Sequence, residues 1–230
     1  MKIKSLLHKN KLLIKNFSYL SVLQVLQLLF PFFTYPYLIR VLGKEQYGIV
    51  AFSLAAIAYM LIFINFGFNI SEMRSISIYR DDKEKLSEII SSVILVKFIF
   101  ALISILILIS CVIYIPHFSK YKLLYTLSIG LIIEAVINPT FVFQGIEQMK
   151  FITYLSIISR LVSLILIFVF IKIQSDYFLV PLFSSIGGII SGLIGCYILF
   201  KKNIRLKLPG TLLIKSTIKD SLPFFTSRVS

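Results

Sequence analysis

Three ionisable side chains, Lys97, Glu134 and Arg160, lie inside long apolar stretches where a charge is expensive. At mid-bilayer each costs about 2.5–3.5 kcal/mol on insertion scales, so such residues are rarely idle. Two cations against one carboxylate leave one positive charge in surplus, which suits an anionic solute and a phosphate group above all. The competing reading has both cations snorkelling to the headgroups, with Glu134 pairing the nearer. Glu134 and Asn138 are four apart and share a helix face. A carboxylate beside an amide could bind a proton or Na⁺ and couple a gradient to transport. The simpler role for Glu134 is charge partner to the two buried cations.

The elements that must position these groups are six apolar segments near 16–39, 49–70, 89–115, 123–143, 152–173 and 178–200. A hydrocarbon core of about 30 Å needs roughly 20 helical residues to cross it. Lipid leaves the backbone no water, so each segment is predicted to be a closed helix. The fold class is therefore all-α integral membrane, a six-helix transmembrane bundle. Hydrophobic residues make up 58% of the chain, above the roughly 45–50% of soluble domains. At a rise of about 1.5 Å per residue, Lys97 and Arg160 sit roughly 12 Å from one end of their spans and Glu134 roughly 14 Å, so all three are expected in one layer.

Orientation follows from the loops. The head (1–15) and the loops at 71–88, 144–150 and 201–220 together carry sixteen Lys and Arg, and the alternate loops carry five. The positive-inside rule puts the N-terminus and the richer loops in the cytoplasm. It also accounts for most of the +14 net charge, so nucleic-acid binding is not expected. The head reads as an amphipathic basic segment lying on the anionic leaflet. With no Trp, Tyr35, Tyr37, Tyr47, Tyr121, Tyr125 and Tyr177 are expected to supply the interfacial belt. Residues 201–220 read as a basic linker broken by Pro209-Gly210, and 221–230 as the start of a seventh span. A small-residue stripe through Ser184, Gly188 and Gly192 is expected to pack inside the bundle. Cys111 and Cys196 fall within spans and read as small hydrophobes. The two histidines are too few and too far apart for a metal site, and no nucleophile–base pair is present.

Four stretches carry a resemblance: Pro31–Gly43 followed by Tyr47-Gly48; Asn65-Phe66-Gly67-Phe68-Asn69-Ile70-Ser71 with Arg74 beyond it; Phe143–Lys150; and Ser221-Leu222-Pro223-Phe224-Phe225 running to Arg228. In this order the chain resembles the polysaccharide transporter family, the Wzx-type O-antigen and capsule flippases of the MATE/MOP superfamily, over its N-terminal half. The resemblance implies two six-helix lobes facing a central cavity. It implies transport of undecaprenyl-diphosphate-linked oligosaccharide units across the bacterial inner membrane, with no bond broken and no cofactor. Membrane lipids and a polysaccharide polymerase complex are the expected partners. Arg74 would guide the diphosphate head into the cavity, with Lys97 and Arg160 receiving it. Family members hold about twice as many helices, so the chain is read as truncated and lacking the second cavity wall. Two other readings compete. A multidrug exporter of the same superfamily would want carboxylates for a cationic drug. A membrane glycan polymerase or acyltransferase would need outer catalytic groups, for which only Glu45, His117 and Asp176 stand in short loops.

Overall fold

The computed structural model describes the backbone of residues 2–207 and 209–229, and side chains over 14–227 apart from 69, 208 and 212. Of the head expected to be amphipathic, the side chains of residues 1–13 lie outside the described residues, as does that of Arg228, while Ile14 is exposed. The first helix, α1 (Lys2–Asn65), has 64 residues. At full length it would reach about 96 Å, three hydrocarbon thicknesses, and so cannot be one crossing. Gly43, at φ 78 and ψ 165, divides it. A residue with a Cβ rarely adopts that conformation.

Contacts show that the two arms run in opposite directions. Tyr19 accepts at its carbonyl from Thr153 Oγ1 and Tyr37 donates to Ile171 O, so the first arm runs parallel to α7 (Met149–Phe170). Phe52 meets His117 and Phe63 stacks on Phe100, so the second arm returns antiparallel to α3 (Lys83–Tyr114). The chain then breaks again at Phe66 and Gly67, both at positive φ, and continues as α2 (Phe68–Ile78). Asp82 caps α3 by accepting from the backbone N–H groups of Glu84 and Lys85 at 3.1 Å.

After the short α4 (Pro116–Lys120), the predicted fourth span appears in two pieces, α5 (Lys122–Ile137) and α6 (Thr140–Gly145). Pro139 separates them because it has no N–H and its ring clashes with the preceding turn. A 3₁₀ turn at Gln174–Phe178 leads from α7 to α8 (Leu179–Lys201), and α9 (Thr211–Val229) closes the described chain. Among the described residues five helical stretches are long and apolar enough to cross a membrane; the first folds at Gly43, which gives six crossings.

The small-residue stripe packs α8 between α5 and α7. A Cβ on Gly187 would strike the Ser159 carbonyl and Ser163, one on Gly192 would meet Ile137, and one on Gly195 would meet Pro139 and Leu155. Two expectations change. Tyr125 is no belt residue; it is fully buried and stacks on Phe118 at 4.4 Å. The last helix starts at Thr211, ten residues before the expected seventh span, because Thr217 and Ser221 on its first turns bury against α3 and α2. Residues 71–88, 144–150 and 201–210 lie at one end of the bundle, the basic end.

Candidate functional site

Lys97 belongs to the inward face of α3, with Ala101, Ser104 and Leu108 above it at helical spacing. It is only 2% exposed, so it does not snorkel. Its ammonium donates to Ala135 O at 3.4 Å and stands 5.1 Å from the centroid of the Phe141 ring. The partner has a specific origin. In a continuous helix the N–H of residue 139 would bond to Ala135 O. Residue 139 is proline, so that carbonyl has no helical donor, and Lys97 takes the vacated acceptor. Nearby, the Cys196 thiol reaches the Ile137 carbonyl at 3.4 Å.

Glu134 is half-buried one turn before the break, with its carboxylate packed on Gly188 of α8. Any side chain at 188 would overlap that carboxylate. Arg160 is also half-buried, its guanidinium 5.7 Å from the Phe30 ring on the first arm of α1. The expected common layer is present. Lys97 touches Ala135, Glu134 touches Gly188, Gly187 touches Ser159, and Arg160 follows Ser159. The layer therefore crosses α3, α5, α8 and α7 in turn. Its charges nonetheless stay apart. Among the described residues no ion pair joins Glu134 to Lys97 or Arg160; the ion pairs are Arg80 with Asp81 and Glu147, and Lys207 with Glu84, all exposed. A carbonyl and a ring already serve Lys97, so it draws no carboxylate.

The other two residues stand elsewhere. Asn138 Oδ1 accepts from the Thr140 N–H at 3.1 Å and from the Thr140 hydroxyl, so this side chain forms an Asx turn at the break, ahead of α6. Arg74 is exposed on α2, outside the layer, on a cleft of about 580 Å³ shared with Ser77, Gln144 and Glu147 at the basic end. Sequence reasoning passed over Glu72, which is 4% exposed. Its signal was present: Phe68, Glu72 and Ile76 recur every four residues on one helix face, and all three are buried. It also passed over the hydroxyls buried above Lys97. Ser53 and Ser128 pair at 3.4 Å, while Ser104 Oγ and Tyr125 OH have no hydrogen-bond partner among the described residues. Among those residues no His, Cys, Asp and Glu cluster is arranged to hold a metal ion.

This all-α bundle, with Lys97 buried at the level of Glu134 and Arg160, is similar to known proteins. The family model described as "Polysaccharide biosynthesis protein" matches residues 13–230. The chain belongs to that family. Two curated proteins, each named "Putative O-antigen transporter", are similar to it. The one from Escherichia coli (strain K12) is 34% identical over 189 residues, covering 82% of this chain and 46% of that protein. The one from Shigella dysenteriae is 30% identical over 219 residues, covering 93% and 54% respectively. The chain thus spans about half the length of these curated relatives. No solved structure matches it significantly. Membership in the family agrees with the stretches that carried the resemblance, all of which fall inside the matched residues.

Proposed function

We propose that this chain forms one lobe of a flippase that moves undecaprenyl-diphosphate-linked oligosaccharide units across the bacterial inner membrane for surface polysaccharide assembly. The supporting observation is Lys97, a buried cation at membrane depth with no counter-charge within ion-pair reach among the described residues. With Arg160 in the same layer, two cations face one carboxylate, a balance that favours a diphosphate over a cationic drug. Both curated relatives are named for O-antigen transport. Transport rather than catalysis is the activity, by rocking of two lobes about a midplane site.

In this reading the basic end is cytoplasmic, and so is the N-terminus. Arg74 meets the diphosphate at the mouth of its cleft, and Lys97 and Arg160 receive it deeper. Glu134, set in the Gly188 notch, is the group available to a coupling proton or Na⁺. Membrane lipids surround the lobe, and a polysaccharide polymerase complex takes the product. The test is native mass spectrometry of the chain in detergent with undecaprenyl diphosphate and with undecaprenol. Retention of the diphosphate alone, reduced about tenfold by Lys97→Gln with Arg160→Gln, is the expected result. Equal retention of both lipids, or of the diphosphate by the double variant, overturns the reading.

A further inference from the structure

A second charged site lies at the basic end, remote from the deep layer. There α2, α3 and α9 enclose a cleft of about 400 Å³ lined by Glu72, Ser75, Tyr79, Lys85, Glu88 and Asp220. Three carboxylates face one amine, and among the described residues that amine forms no ion pair with them: Lys85 Nζ stands 4.7 Å from the centroid of the Tyr79 ring. Among the described residues no ion pair or hydrogen bond satisfies the Glu72 carboxylate, although only 4% of the residue is exposed. The Asp220 carboxylate, on the same cleft, acts on it with charge of its own sign. The two are brought together by their chain neighbours, since Ser71 Oγ and Ser221 Oγ hydrogen-bond at 2.5 Å.

A buried carboxylate without a partner is costly, and a second carboxylate beside it raises the cost. Positive charge is what the arrangement lacks. The cleft also lies beneath the seam that holds α9. Ser92 and Thr217 hydrogen-bond at 3.0 Å, Phe225 stacks on Phe66 at 4.5 Å, and Gly67 abuts the Ser221 carbonyl and Phe224.

We propose that this cleft is a cation site whose occupant, a proton held on the Glu72–Asp220 pair or an alkali-metal ion between them, fastens α9 to α2 and α3. The shared chemistry is neutralisation of like charges across the seam. Empty, Glu72, Glu88 and Asp220 push α9 away from the other two helices; filled, the seam's hydroxyl and aromatic contacts hold. The inference uses none of the deep-layer residues and stands apart from the cargo reading.

The experiment is hydrogen–deuterium exchange of the full chain in detergent, read on peptides from 211–229. Four buffers are compared: NaCl or choline chloride, each at about pH 6 and about pH 8.5. Rates are taken relative to the intrinsic amide exchange rate of each buffer, and in wild type exchange at 211–229 is expected to slow about tenfold on that scale when the cation arrives. Slowing on acidification in choline identifies the proton; slowing on adding Na⁺ at the higher pH identifies the metal ion. Glu72→Gln, neutral and of the same shape, is expected to exchange slowly in all four buffers. Asp220→Asn, at an exposed position, is expected to lose the response as well and covers the case of a misfolded first variant. Wild-type exchange that is the same in all four buffers, or a response that survives in Asp220→Asn, overturns the proposal.

Discussion

The deep layer and the basic end solve the problem of charge in different ways. In the deep layer each ionisable group is met by neutral partners: a carbonyl and a ring for Lys97, a glycine notch for Glu134, a ring for Arg160. At the basic end, outside the Glu72 cleft, charges pair at exposed positions, as in Lys207 with Glu84 at 2.7 Å, while serines fix the backbone beside them. The difference follows from the solvent. Lipid offers no screening, so a rigid local dipole is the safer partner, and it leaves the cation's charge without a counter-charge. Water at the other end weakens ion pairs until they hold little.

The largest effect expected from this comparison is at Gly187. The deep layer exists because α8 approaches α5 and α7 at glycines, and a Cβ at 187 would strike the Ser159 backbone carbonyl. A backbone atom cannot swing aside as a side chain can. Gly187→Val should therefore destabilise the bundle by about 3 kcal/mol, read as lost folded protein in thermal unfolding of the detergent-solubilised chain. Gly48→Ala, at a helical position where a Cβ meets nothing within 4 Å, should leave unfolding unchanged. Similar losses in both variants would remove the claim that close backbone approach builds the layer.

A smaller effect tests the neutral-partner rule itself. Lys97→Met removes a buried charge, which helps, and leaves Ala135 O without a donor, which costs about 1–3 kcal/mol. The single variant mixes these opposed effects. Pro139→Ala restores an N–H that can bond to Ala135 O. Against that background Lys97→Met no longer strands the carbonyl. A double-mutant cycle on Lys97 and Pro139 should give a coupling energy of about 1 kcal/mol, with the lysine's removal better tolerated once alanine is present. Strict additivity would mean that Lys97 does not substitute for the missing helix donor.

These cases mark how far the sequence could be read. Span number came from length and apolarity, which the bilayer imposes directly. The common depth of Lys97, Glu134 and Arg160 came from the helix rise alone, since neighbouring spans share one slab of lipid. What could not be read needed the register of one helix against another. Nothing in the order of residues says that Lys97 lies opposite Ala135, or that the proline four residues beyond would free that carbonyl for it. The same holds for α9. Its first ten residues, Thr211–Asp220, mix polar with apolar residues and read as a linker. Only the facing hydroxyls of Ser92 and Ser71 make burial of Thr217 and Ser221 favourable. Spacing alone would set Asn138 on one face with Glu134, yet α5 ends at Ile137 and the Asn138 carbonyl oxygen is spent on the turn at the Pro139 break.

The smallest effect separates the two devices at the basic end. Residue 207 is anchored twice: its backbone N–H donates to Ser91 Oγ at 2.8 Å, and its side chain reaches Glu84. The Glu84 side chain is 77% exposed and that of Lys207 42%, so water screens the ion pair. The Ser91 hydroxyl is buried, and its own proton goes to the Ser87 carbonyl, which orients its lone pairs toward the linker. Ser91→Ala should therefore cost about 1 kcal/mol and speed exchange of the 207 amide. Lys207→Ala keeps the backbone bond and should cost less than about 0.5 kcal/mol, an effect that disappears in high salt. The opposite ranking, with the lysine variant the more damaging, would show that the linker is held by charge, and the contrast between the two ends of the bundle would then fail at its weaker side.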